Sequence, residues 1–142
     1  MDNRHAKKFK FLEHTADVKF QAYGKNLKEV FKNSVEAMFN SMHSGKVKSK
    51  DKFVIKIKGN DLESLMYNFL EEFLFLMDSK KFFLSKIKIT KFDEKKFELN
   101  AELFGDSVKN YKLNHDFKAV TYNEMFIKKI KGIWTSQVVM DV

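Results

Sequence analysis

Cysteine and proline are absent from this 142-residue chain, and glycine occurs only five times. Without cysteine there is no disulfide, no thiolate zinc site and no thiol nucleophile; the lack of disulfides fits a reducing compartment. With no proline and scattered glycine there is no Pro/Gly/Ser linker to mark a domain boundary, and none of the five glycines belongs to a nucleotide-binding fingerprint. Arginine is nearly missing too: Arg4 is the single one. No apolar run approaches the roughly 20 residues that span a bilayer. The polar start Met1-Asp2-Asn3-Arg4-His5-Ala6-Lys7-Lys8 lacks the apolar stretch of a signal peptide. These absences point to a soluble, cytoplasmic protein with no membrane partner.

What is abundant is lysine. Lys+Arg total 27 against 19 Asp+Glu, a formal net charge of +8. Such an excess favours polyanions such as RNA, or an acidic protein surface. The charges are spread along elements, however, and specific phosphate recognition usually recruits the bidentate fork of arginine. Solvated faces are therefore the first reading of most lysines.

A chain of this size forms one domain and buries enough surface to need no staple. The expectation is a flexible tail over residues 1–8 and a single domain over 9–142. Segments 9–12 and 18–23 read as strands; in the second, Val18, Phe20 and Ala22 alternate with Lys19, Gln21 and Tyr23. Asn26 is placed to cap a first helix over 27–42, whose stripe is Leu27, Val30, Phe31, Val35, Met38, Phe39 and Met42. Lys28, Glu29, Lys32, Asn33, Glu36 and Asn40 take its polar side. Lys52–Lys58 alternates as a strand, and Asp61 can cap a second, more apolar helix carrying Leu62, Leu65, Met66, Phe69, Leu70, Phe73, Leu76 and Met77. Segments 83–92 and 96–104 flank Asp93-Glu94-Lys95 as a hairpin, with lysines and glutamates suited to cross-strand pairing on its wet face. Segment 105–115 reads as irregular, and 119–122, 125–130 and 133–142 as strands. Two helices among hairpin-connected strands indicate an α+β domain of two layers, with both helices on one face of a mixed, mostly antiparallel sheet.

Chemistry-bearing residues are few. There is no His-Glu-x-x-His pair, and no serine or threonine sits in a pattern of nucleophile activation. Glu71-Glu72 reads as a solvated patch. The notable feature is at the two ends. Asp17 opens one strand and Asp141 closes another, one residue before Val142. If both strands share a sheet, these oxygens make a small site for a hard cation. Taken alone, Asp17 reads more readily as a turn carboxylate accepting backbone N–H bonds.

The runs Glu13-His14-Thr15-Ala16-Asp17-Val18, Ala22-Tyr23-Gly24, Lys118-Ala119-Val120-Thr121-Tyr122 and the closing Asp141-Val142 resemble the archease family over nearly the whole chain and in the same order. The family usually follows that tyrosine with histidine; here Asn123 stands there. The resemblance implies a sheet-and-helix domain with metal ligands at Asp17, Asp141 and Val142, the last through its main-chain or terminal oxygen. It implies supporting or partner-binding roles for His14, Thr15, His115, Lys118, Thr121 and Tyr122. Read without it, 118–122 is a strand with Val120 and Tyr122 partly buried. The implied cofactor is a divalent cation, calcium in a structure and manganese or magnesium in the cell. The implied partner is the GTP-dependent tRNA-splicing RNA ligase, with tRNA engaged indirectly, and the implied role is that of a non-enzymatic activator. A basic RNA-binding or chaperone module is the alternative. A small metal-dependent hydrolase is a third reading, with His14 its one candidate base.

Overall fold

The computed structural model describes residues 7–14 and 17–142. Its strands are β1 (Phe9–Leu12), β2 (Asp17–Gly24), β3 (Asp51–Lys58), β4 (Phe82–Asp93), β5 (Glu98–Ser107), β6 (Ala119–Val120), β7 (Phe126–Ile130) and β8 (Ile133–Asp141); its helices are α1 (Leu27–Met42) and α2 (Leu62–Lys80). Both helices start where their caps require. The Asn26 side chain accepts from Glu29 N–H at 2.8 Å. Asp61 and Ser64 form a reciprocal capping box, with Ser64 N–H to Asp61 Oδ1 at 2.7 Å. Lys81, left-handed at φ 54°, ends α2.

The α+β class holds, but the strands divide between two sheets and every pairing is antiparallel. One sheet runs β1-β2-β8, with β6 and β7 both paired to the far edge of β8; the other runs β3-β5-β4. Strand alternation shows which face is apolar, and it is silent on how many sheets share the faces. The helices bridge the two. Phe31 of α1 meets Phe69 of α2 at 5.8 Å and Phe92 of β4 at 5.0 Å, and Phe39 meets Phe73 at 5.7 Å. Phe20, Val138 and Met140 of the first sheet and Ile55, Ile89, Leu99 and Leu103 of the second enter the same buried cluster.

Several local expectations shift. Asn33, expected on the polar side of α1, is buried, because its amide donates to the Tyr23 carbonyl at 2.7 Å and ties α1 to β2. Segment 105–115 is not wholly irregular: β5 continues to Ser107, and a 3-10 turn follows over Val108–Asn110. The strand expected over 119–122 stops at Val120. Tyr23 N–H donates to the Lys8 carbonyl at 2.9 Å, so pairing reaches the last residue of the expected tail; residues 1–6 lie outside the described residues.

Gly105 sits where β5 passes β4 and β3. A Cβ there would run into the Phe83 carbonyl oxygen and the Phe82 ring. Gly105→Ala is expected to destabilise the fold by about 1–3 kcal/mol through overpacking; a lowered urea midpoint at unchanged slope is the readout.

Candidate functional site

Asp17 and Asp141 meet. In the β2–β8 ladder Asp17 lies directly opposite Asp141, and β6 brings Ala119 opposite Asp141 from the other side. Lys118 N–H donates to the Asp141 carbonyl at 2.9 Å, so three strand ends converge on one residue. Directly opposed residues of an antiparallel pair carry their side chains on the same face. Asp17 and Asp141 therefore share the face that carries Lys19 and Gln21, away from core-facing Phe20, Val138 and Met140. Two opposed carboxylates repel, and a shared cation offsets that repulsion.

Beside this pair the edge of the sheet is interrupted. β6 and β7 both bond to β8, and the residues between them loop out. Thr121 Oγ1 donates to the Val139 carbonyl at 2.7 Å, and Met125 N–H donates to the Tyr122 carbonyl at 3.1 Å. Glu124 adopts φ 55°, a left-handed conformation uncommon outside glycine. Its carbonyl accepts from Gln137 Nε2 at 2.8 Å, and its carboxylate lies 3.0 Å from both Lys19 Nζ and His14 Nε2. Gln137 in turn accepts from Gln21 at 2.9 Å, and Gln21 from the Tyr23 hydroxyl at 3.2 Å. Hydrogen bonds from Lys19, and then from His14, hold the Glu124 carboxyl below the ordinary glutamate range.

This fixes His14. Because the Glu124 carboxylate is an acceptor, Nε2 donates to it. The other nitrogen, Nδ1, is buried without a hydrogen-bond partner and lies 3.4 Å from Asp17 Oδ2. Protonated, it completes an ionic chain Asp17–His14–Glu124–Lys19; unprotonated, its lone pair faces a carboxylate.

Of the residues singled out in the sequence, His14, Asp17, Lys118, Thr121 and Asp141 come together at this end of the first sheet, with Val142 exposed next to Asp141. Thr15 lies outside the described residues. Tyr122, expected partly buried, is 53% exposed, yet its ring stacks on Tyr67 of α2 at 4.4 Å and 8°. Burial first, and nearby Asp61 and Glu71 next, push the Tyr122 hydroxyl above its ordinary pKa. His115 packs edge-on against Phe117, and its Nδ1 is buried without a hydrogen-bond partner. Asn123 is exposed, and its N–H donates to Thr121 Oγ1 at 3.3 Å. Among the described residues no group of three or more His, Asp or Glu side chains is arranged to hold a metal ion. A hard cation held at the pair would draw on two carboxylates, each mono- or bidentate, and would need main-chain oxygen or water to complete its shell. Glu124, Lys19 and Gln137 have no signal in spacing; only the β6–β7 interruption gathers them.

A family model described as the Archease protein family (MTH1598/TM1083) matches residues 9–142. The chain belongs to the archease family. It is 38% identical to "Protein archease" of Methanosarcina acetivorans over 141 residues, 96% of this chain and 97% of that one. It is 37% identical to "Protein archease-like" of Drosophila melanogaster over 124 residues, 84% and 80% of the respective chains. The solution structure of Methanobacterium thermoautotrophicum protein 1598 superposes with a TM-score of 0.81 at 34% identity, covering 95% of this chain and 99% of that one. A Thermotoga maritima crystal structure, described as an archease and possible chaperone, shares the fold with a TM-score of 0.64 at 19% identity over 92% of this chain and 94% of that one.

The Glu124 ion pairs carry a pH dependence. Its carboxyl is depressed in the folded chain, so its contribution is full above the unfolded glutamate range and disappears as pH falls through the lowered folded value. Glu124→Gln is expected to flatten the acid limb of stability from about pH 5 downward, measured as urea midpoints at stepped pH. An unchanged limb would show that Glu124 carries no linkage.

Proposed function

We propose that this chain is a non-enzymatic activator of the GTP-dependent tRNA-splicing RNA ligase. In this reading it promotes guanylylation of the ligase histidine and sustains multiple turnover during tRNA splicing in the cytoplasm, meeting tRNA indirectly through the ligase. Family membership supports the reading, and the observation that carries it is the Asp17–Asp141 opposition. Asp17 and Asp141 would hold a divalent cation with a main-chain oxygen of Val142. Calcium, magnesium and manganese all accept such oxygen donors. Bound there, the cation supplies positive charge where a triphosphate needs neutralising.

The chain's own residues orient and present the pair. Glu124 holds the His14 ring, and His14 Nδ1 flanks Asp17. Thr121 pins the loop after β6 to Val139, which keeps Lys118 beside Asp141. Lys118 is exposed and offers an ammonium to a phosphate or an acidic patch on the partner. A chaperone-like action on a partner protein fits the description of the Thermotoga relative.

The test is ligation with ligase limiting. Wild type is expected to restore multiple turnover, and Asp17→Ala and Asp141→Ala to lose it with circular dichroism unchanged. Calorimetry with manganese should show binding weakened tenfold or more in both variants, equivalent to at least about 1.4 kcal/mol. Folded variants that restore turnover like wild type would refute the metal-site mechanism.

A further inference from the structure

The second sheet carries chemistry that the acidic end does not use. Its inner face is apolar, and its outer face can be read row by row across β3, β5 and β4. The rows are Lys52–Phe104–Lys86, Val54–Glu102–Lys88, Lys56–Asn100–Lys91 and Lys58–Glu98–Asp93. The first three rows hold five lysines and one carboxylate. The cross-strand pairing expected within the β4–β5 hairpin does not form. Glu102 pairs with Lys52 at 3.3 Å and Glu98 with Lys58 at 3.4 Å, both on β3. Among the described residues, Lys56, Lys86 and Lys88 form no ion pair with a carboxylate, and Lys91 is near enough to Asp93 to help hold its carboxyl below the ordinary range. Lys86 and Lys52 instead flank the Phe104 ring on the central strand, 5.0 Å and 5.7 Å from its centroid. Over the β4 edge, Lys88 lines a groove with Lys28 and Lys32 of α1, and Glu29 is its one acidic residue.

We propose that this lysine face binds the phosphodiester backbone of RNA, in a sequence-independent way. Charge complementarity selects the occupant. Strands lie about 4.8 Å apart and alternate residues of a strand about 6.8 Å, so the unpaired ammoniums form a close, mutually repelling array that a polyanion relieves. A protein partner fits poorly: interface centres are depleted of lysine and built on desolvated apolar anchors, whereas this face offers only Val54 and a lysine-flanked Phe104. Lysine binds phosphate as a point charge, and contacts confined to the backbone carry no sequence information. The face is separate from Asp17 and Asp141, and the inference does not rest on the ligase reading.

The experiment is fluorescence anisotropy with labelled oligouridylate and an unmodified tRNA transcript, titrated across salt concentrations, with polyglutamate as the protein-like polyanion. Wild type is expected to bind both RNAs with an affinity that falls steeply with salt. The triple variant Lys56→Gln, Lys88→Gln, Lys91→Gln, folded by circular dichroism, should reduce the slope of log affinity against log salt by about 2 for oligouridylate, three contacts at about 0.7 each. Asp17→Ala should bind RNA like wild type, and the lysine variant should still stimulate guanylylation of the ligase in the absence of RNA, so the two readings fail separately. An unchanged slope in the triple variant, or no RNA binding at low salt, overturns the proposal. Polyglutamate bound as tightly as RNA overturns it too and assigns the face to an acidic protein surface.

Discussion

The pairing of β2 with β8 is the constraint on which the rest depends. It joins eight residues near the start of the chain to eight near its end, from Asp17 opposite Asp141 to Gly24 opposite Trp134. Its inner face receives α1 through a buried contact between Ser34 and Ser136 hydroxyls at 2.7 Å and through the packing of Phe20, Val138 and Met140. Its outer face carries the polar network that ends at Glu124. Register decides both. A slip of one residue would turn every side chain of β2 over, placing Phe20 outward and the Asp17 carboxylate toward the core. The apolar alternation of β2 therefore fixes which way Asp17 points.

The helices explain how two sheets share one interior. α1 lies against β2 and β8 while its Phe31 and Phe39 reach Phe92 and Phe83 of β4. α2 fills the other side of the same cluster and meets the β6–β7 loop through Tyr67 and Tyr122. Aromatic pairs in edge-on contact join the layers, and each adds a directional preference to the area buried. Moving α2 would disturb the loop that carries Glu124, which links core packing to the geometry of the acidic end.

The same frame presents two surfaces of different chemistry. At one end of the first sheet, opposed aspartates, a histidine and a left-handed glutamate make a compact polar cluster. On the outside of the second sheet, lysines outnumber carboxylates and most of the β4 ammoniums stand unpaired. A formal charge of +8 is consequently not spread evenly. A sizeable share sits on one sheet face, whose opposite side is buried in the core.

The two helices, their caps at Asn26 and Asp61, and most strands were legible because each depends on local period and local hydrogen bonding. The meeting of Asp17 and Asp141 was legible only on the condition that their strands share a sheet, a condition the resemblance in motif order supplied, since nothing in spacing brings residues so distant in the chain together. Other features had no sequence signal. Asn33 reads as a surface residue until the Tyr23 carbonyl is placed above it. Glu124 reads as a turn residue until the interrupted β6–β7 edge aims it at Lys19 and His14. By itself the sequence determined which faces are apolar, where helices begin and what chemistry the chain forgoes, because these follow from neighbours a few residues away. Only the tertiary structure decided the division into two sheets, the meeting of the acidic ends and the segregation of lysine onto one face, because each is set by pairings between segments that are far apart along the chain.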